Sequence, residues 1–159
     1  MEHNNVYFAS PFFNEEQVER EERLKKALRE MGFNVFSPKE NCLCPPDATQ
    51  EMRKQTFNDN VRNIISCDII FAVTDGKDVG TIWEAGLGYG LKLYNEVFKV
   101  PAKKIVYYCE TLPQGGKFNL MLAQSGDIIV TDMEQLKRLP EYLKLVEKGM
   151  TIGYVGDIE

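Results

Sequence analysis

Ile69-Ile70-Phe71-Ala72-Val73 is followed, after Thr74-Asp75-Gly76-Lys77, by Asp78-Val79-Gly80-Thr81-Ile82-Trp83-Glu84-Ala85-Gly86-Leu87-Gly88-Tyr89. The apolar run has the length and composition of a strand buried on both faces, as strands of parallel sheets are. The second stretch reads as the opening of a helix. Asp78 and Glu84 therefore sit where a parallel sheet hands over to a helix, the place where open α/β proteins bind their ligands. If the two carboxylates share a cleft, one can attack or stabilise a cationic carbon while the other moves a proton.

The alternation continues in both directions. Val6-Tyr7-Phe8-Ala9 reads as a strand. Asn14 then opens a helix, with Gln17 in the capping-box position and Phe13 and Val18 placed to staple its start. Leu24, Ala27, Leu28 and Met31 recur at helical spacing, and Gly32 ends that helix. Phe33 to Phe36 is a second strand, stopped by Pro38. Lys39 to Thr49, with Pro45 and Pro46, reads as a loop. A helix is expected from about Gln50 to Ser66, with Met52, Phe57, Val61 and Ile64 or Ile65 as its apolar stripe. Asp68–Val73, Ile105–Tyr108 and Ile128–Val130 complete the strands. Asp132 with Gln135 caps a last helical region, which Pro140 interrupts. Strands and helices in this order predict an α/β fold: a five-stranded, parallel, doubly wound sheet flanked by helices, flavodoxin-like or Rossmann-like. No repeat or linker divides the chain, so residues 1–159 are expected to form one domain.

The bulk properties narrow the function. A chain of 159 residues, 43% hydrophobic, can bury a core without disulfides. Its net charge of −5 argues against general binding to nucleic acid or an anionic membrane. Met1 to Asn5 lacks the basic and apolar regions of a signal peptide, and a cytoplasmic location is expected. Cys42, Cys44, Cys67 and Cys109 do not have zinc-knuckle spacing and read as reduced thiols. His3 is the sole histidine, so serine or cysteine triads and histidine-metal chemistry are disfavoured. Carboxylates, tyrosines, amides and backbone groups are left to do any chemistry.

Gly86-Leu87-Gly88-Tyr89-Gly90 is not a dinucleotide fingerprint, because its glycines fall inside the helix rather than in the turn before it. Helical glycines each cost roughly 1 kcal/mol against alanine, which suggests a close approach by a neighbouring helix or a ligand. Glu84 has two local readings. Thr81-Ile82-Trp83-Glu84 matches a capping box, in which Glu84 would only satisfy a free amide. Alternatively it faces a site. Asp78 is open in the same way, since the helix dipole alone favours an aspartate there.

Tyr7 with Phe12-Phe13, the Asp78-Val79-Gly80…Glu84-Ala85-Gly86-Leu87-Gly88-Tyr89 block, and Phe118-Asn119-Leu120-Met121 occur in an order that resembles the nucleoside 2-deoxyribosyltransferases. The resemblance spans about residues 5 to 131. It implies transfer of a 2-deoxyribosyl group between nucleobases, with retention, through a covalent sugar–enzyme intermediate. It assigns Glu84 as the nucleophile, Tyr7 as the group orienting it, and Asp78 as the carboxylate that protonates the leaving base or positions the sugar. Phe12, Phe13, Asn60 and Gly80 would line the substrate. Asn119 and Met121 would come from a neighbouring subunit, so a homo-oligomer built from dimers, up to a hexamer, is implied. Without the resemblance, Asn119 reads as a helix N-cap and Met121 as a core residue. The implied partners are deoxynucleosides and free nucleobases, with no cofactor and no metal.

Two departures stand out. Many relatives carry an aspartate against the base at the position of Asn60, and an amide cannot donate a carboxylic proton. Glu40-Asn41-Cys42 also replaces a glutamine-bearing segment that holds the base. Two other functions stay open: N-glycosidic hydrolysis of 2-deoxynucleoside 5-monophosphates, or non-catalytic nucleotide binding on the same fold. The bulky Ala9-Ser10-Pro11-Phe12-Phe13 loop, with Ser10 as its one hydroxyl, favours unphosphorylated nucleosides over the first of these.

Overall fold

The structure is a computed structural model that describes residues 4–99, 102–112 and 116–159. His3 lies outside the described residues. The elements run β1 (Asn5–Ala9), α1 (Glu15–Glu30), β2 (Asn34–Phe36), α2 (Pro38–Asn41), α3 (Gln50–Ser66), β3 (Ile69–Val73), α4 (Val79–Phe98), β4 (Lys104–Tyr108), α5 (Leu120–Ser125), β5 (Ile128–Val130), α6 (Met133–Lys137) and α7 (Leu139–Glu147). All five strands pair in parallel in the order β2-β1-β3-β4-β5. This is the flavodoxin-like order, whose direction reverses between β1 and β3.

Strand alternation sorts the core into two layers. Val6 and Phe8 join Leu24 and Leu28 of α1 and Leu139, Leu143 and Val146 of α7 on one face. Tyr7, Ala9, Ile70 and Ala72 join Ile64 of α3 and Ala85 of α4 on the other. β3 is buried along its whole length, as its unbroken apolar run requires.

Four local expectations are revised. The segment after β2 is not all loop: Pro38, free of any need for an N–H donor at a first turn, starts the short helix α2. The break expected at Pro140 falls at Arg138, between α6 and α7, and Pro140 sits in the first turn of α7. The apolar stripe of α3 is only partly a core stripe. Ile64 is fully buried, while Met52, Phe57 and Ile65 are each about half exposed.

The fourth revision concerns the glycines of α4. A Cβ on Gly88 would lie 2.5 Å from Ile70 Cγ1, so the close neighbour is strand β3, not a helix or a ligand. Gly86 and Gly90 face open space.

Candidate active site

Tyr7 is fully buried at the middle of β1, stacked on Phe36 with centroids 5.6 Å apart, and its hydroxyl points toward α4. There it donates to Glu84 Oε1 at 2.5 Å. β1 borders the point where the strand order reverses, so the pair sits where this topology opens a crevice.

The start of α4 explains why Glu84 is available. Asp78, not Thr81, is the N-cap: its Oδ2 accepts from Thr81 N at 2.7 Å and from the Thr81 hydroxyl at 2.9 Å. The helix therefore begins three residues earlier than a capping box at Thr81 would place it. Glu84 falls in the second turn, beyond the free amides, and turns to the phenol instead. Gly80 lies against the cap, where a Cβ would come within 3.2 Å of Asp78 Oδ2.

Burial raises the Glu84 carboxyl to about 7, opposed by the Tyr7 hydrogen bond and assisted by the Asp78 charge. Burial, then the Glu84 charge, drives the Tyr7 phenol far above its ordinary range, with smaller contributions from Cys42 and Cys67. Tyr7 is thus a permanent neutral donor, and Glu84 is a carboxyl poised to change charge near neutrality. Perturbed, paired titratable groups of this kind are what a reacting site needs.

The remaining candidates divide into groups. Asn60 on α3 carries a buried Oδ1 with no hydrogen-bond partner, an acceptor open to an N–H donor. Cys42, at the end of α2, is close enough to Tyr7 to affect its phenol, and burial with the nearby Asp59 raises its own thiol. Phe12 and Phe13 stack on each other with centroids 5.2 Å apart, and Phe13 is 73% exposed.

Asn119 and Met121 lie elsewhere. They line a cavity of about 460 Å³ with Thr74, Ile82 and Phe118, and neither Tyr7 nor Glu84 is among its described walls. Asn119 does cap α5, its Oδ1 accepting from Met121 N at 3.0 Å and Leu122 N at 3.4 Å. Met121 is 74% exposed and is not a core residue.

One further feature is visible only in the structure. Trp83, next to Glu84, packs on Phe57 of α3 with centroids 5.7 Å apart, and both rings are about half exposed. Its signal was the apolar stripe of α3, which a core assignment absorbed.

A parallel sheet in flavodoxin-like order, with a phenol–carboxylate pair beside its switch point, defines an α/β protein with a candidate small-ligand site. The comparisons give the family. A model described as Nucleoside 2-deoxyribosyltransferase matches residues 6–136. The chain belongs to the nucleoside 2-deoxyribosyltransferase family. It is similar to a structure of a 2-deoxyribosyltransferase from Bacillus psychrosaccharolyticus, with 28% identity and a TM-score of 0.74, covering 95% of this chain and 99% of that one. A conserved protein from Enterococcus faecalis V583 shares the fold at 17% identity and a TM-score of 0.56, covering 93% of this chain and 99% of that one. Among curated proteins, none matches this chain. Among the described residues, no helix is long and apolar enough to cross a membrane.

Proposed function

We propose that this chain exchanges nucleobases on 2-deoxyribose by double displacement at Glu84. The observation that carries the reading is the Tyr7–Glu84 hydrogen bond, which orients a half-buried carboxylate that no helix cap requires. In the first half, a Glu84 carboxylate oxygen attacks the anomeric carbon and the bond to the base nitrogen breaks. The bonding pair leaves with the base, which takes up a proton. In the second half, a nitrogen of the incoming base attacks the same carbon, Glu84 leaves as carboxylate, and the base gives up its proton. Two inversions give net retention. Water in place of the second base gives slow hydrolysis.

Positive charge develops on the sugar as the first bond breaks, and the Glu84 charge beside it stabilises that state before capturing it. Asp78 raises the proton affinity of Glu84 and is the carboxylate available for proton transfer or sugar contact. The open Asn60 acceptor suits an exocyclic amino group of a base. Asn119 and the exposed Met121, on a separate cavity, suit service in a neighbouring subunit of a homo-oligomer. Ser10 spends its hydroxyl on Pro11 O at 3.1 Å, which supports unphosphorylated substrates.

Incubating the protein with deoxyinosine or thymidine plus adenine or cytosine, followed by chromatography, tests the reading. A new deoxynucleoside is expected. Cleavage of a deoxynucleoside monophosphate without base exchange would replace this reading with the hydrolase.

A further inference from the structure

Asp75 follows β3, is 2% exposed, and belongs to none of the groups assigned above. Its Oδ1 accepts from Thr111 N at 3.0 Å and from the Cys109 thiol at 3.7 Å, and its Oδ2 accepts from Glu110 N at 3.2 Å. All three partners lie just beyond the end of β4. The same exit is gripped from α1. Arg20, 4% exposed, donates to Glu110 Oε1 at 2.7 Å and feels the Asp75 charge. Arg23 donates to Glu110 Oε2 at 3.0 Å, and the Tyr108 hydroxyl donates to the same oxygen at 2.8 Å.

On its other side, Asp75 begins the turn into α4. Lys77 N donates to Thr74 O at 3.1 Å, with Gly76 at φ +81° and Lys77 at φ +52°. Left-handed backbone at Lys77 is uncommon for a residue with a side chain and needs support from its surroundings. The next residue is Asp78, the cap of the helix that carries Glu84. From the β4 exit the chain runs to Asn119 and Met121. Thr74, Gly76, Thr111, Asn119 and Met121 all line the 460 Å³ cavity, so the two segments meet there.

We propose that Asp75 is a positioning residue that couples two segments: the turn delivering Asp78 and Glu84 to this subunit's site, and the strand exit leading to Asn119 and Met121, which serve a neighbour's. The proposal rests on the deoxyribosyl-transfer reading for its kinetic consequence. A carboxylate is required because two amides approach two different oxygens. In Asp75→Asn one of those oxygens becomes an NH₂ group, which sets a donor against a donor.

The test is Asp75→Asn, with Arg20→Lys as a milder second variant that keeps the charge and loses the guanidinium fork joining Glu110 to Glu16. A purely structural defect reduces the amount of folded enzyme, so apparent kcat falls while KM for the donor nucleoside stays fixed. A positioning role moves both: kcat is expected to fall about 10-fold to 100-fold and KM to rise several-fold for Asp75→Asn, less for Arg20→Lys. Unchanged KM in both variants would overturn the proposal. Hydrogen exchange on the unliganded protein is independent of the reaction. Faster exchange at amides 76–81 as well as 110–112 is expected, and loosening confined to 110–112 would also overturn it. If the unmodified protein exchanges no bases, the functional reading fails, and the hydrogen-exchange pattern still decides whether Asp75 links the two segments.

Discussion

Tyr7 on β1 and Glu84 on α4, 77 positions apart in the sequence, meet through a 2.5 Å hydrogen bond in which the phenol donates to Oε1. The bond fixes one carboxylate oxygen and leaves the other free to react. Glu84→Ala and Glu84→Gln are therefore expected to abolish base exchange, while binding of a nucleobase, measured by calorimetry, persists. Retained exchange in either variant would remove Glu84 as the nucleophile.

Burial of Glu84 sets a pH dependence that the same bond moderates. Glu84 titrates near pH 7, so kcat/KM for the donor nucleoside is expected to rise about 10-fold per pH unit below that value and level off above it. Tyr7 donates to the charged form and so pulls the carboxyl downward. Tyr7→Phe should shift the acid limb to higher pH and lower the plateau about 10-fold to 100-fold. A pH–rate profile of both proteins checks the direction.

Stability carries the opposite signature. The Glu84 carboxyl holds its proton up to about 7 when folded but only to about its ordinary 4.5 when unfolded. Between those values the folded state binds more protons, so this group makes stability fall as pH rises through that window. Glu84→Gln has no such proton to lose. It is expected to be more stable than the unmodified protein at pH 8 by about 1–3 kcal/mol, with the gain shrinking toward pH 4.5. Urea unfolding at the two pH values measures it.

The glycines of α4 show what sequence can and cannot convey. Period and composition were enough to place the strands, the order of elements and the helix carrying Glu84, because burial on both faces leaves an unmistakable apolar run in β3. The partner of Gly88 was not readable, since contact with Ile70 depends on how closely α4 settles on the sheet. The cap is ambiguous in the sequence for a related reason. Asp78 and Thr81 both fit an N-cap, and only the backbone path after the turn at Gly76 and Lys77 selects Asp78. Likewise the half-exposed Phe57 and Trp83 cannot be told from core residues by spacing alone.

Gly88→Ala should consequently be destabilising by about 1–3 kcal/mol, because a 2.5 Å approach to Ile70 forces the helix or the side chain to move. Gly86→Ala and Gly90→Ala meet nothing within 4 Å and should each stabilise α4 by about 0.5–1 kcal/mol. Thermal melts of the three variants test the contrast. Equal effects at all three would mean that the packing of α4 on β3 is not set by Gly88.

Asp78 holds two roles on one side chain, and they can be separated. Its Oδ2 caps α4 through Thr81, so Asp78→Ala should cost about 1 kcal/mol and also lose exchange activity. Asp78→Asn and Asp78→Ser are good caps and should restore most of that stability. Neither supplies a carboxylate. If the charge takes part in proton transfer or sugar contact, exchange in these two capped variants should stay at least about 10-fold below the unmodified protein. If capping is the whole of its function, both should recover full activity along with the melting temperature. Comparing kcat/KM with Tm across the three substitutions distinguishes the cases, because only a chemical role lets stability return without the rate.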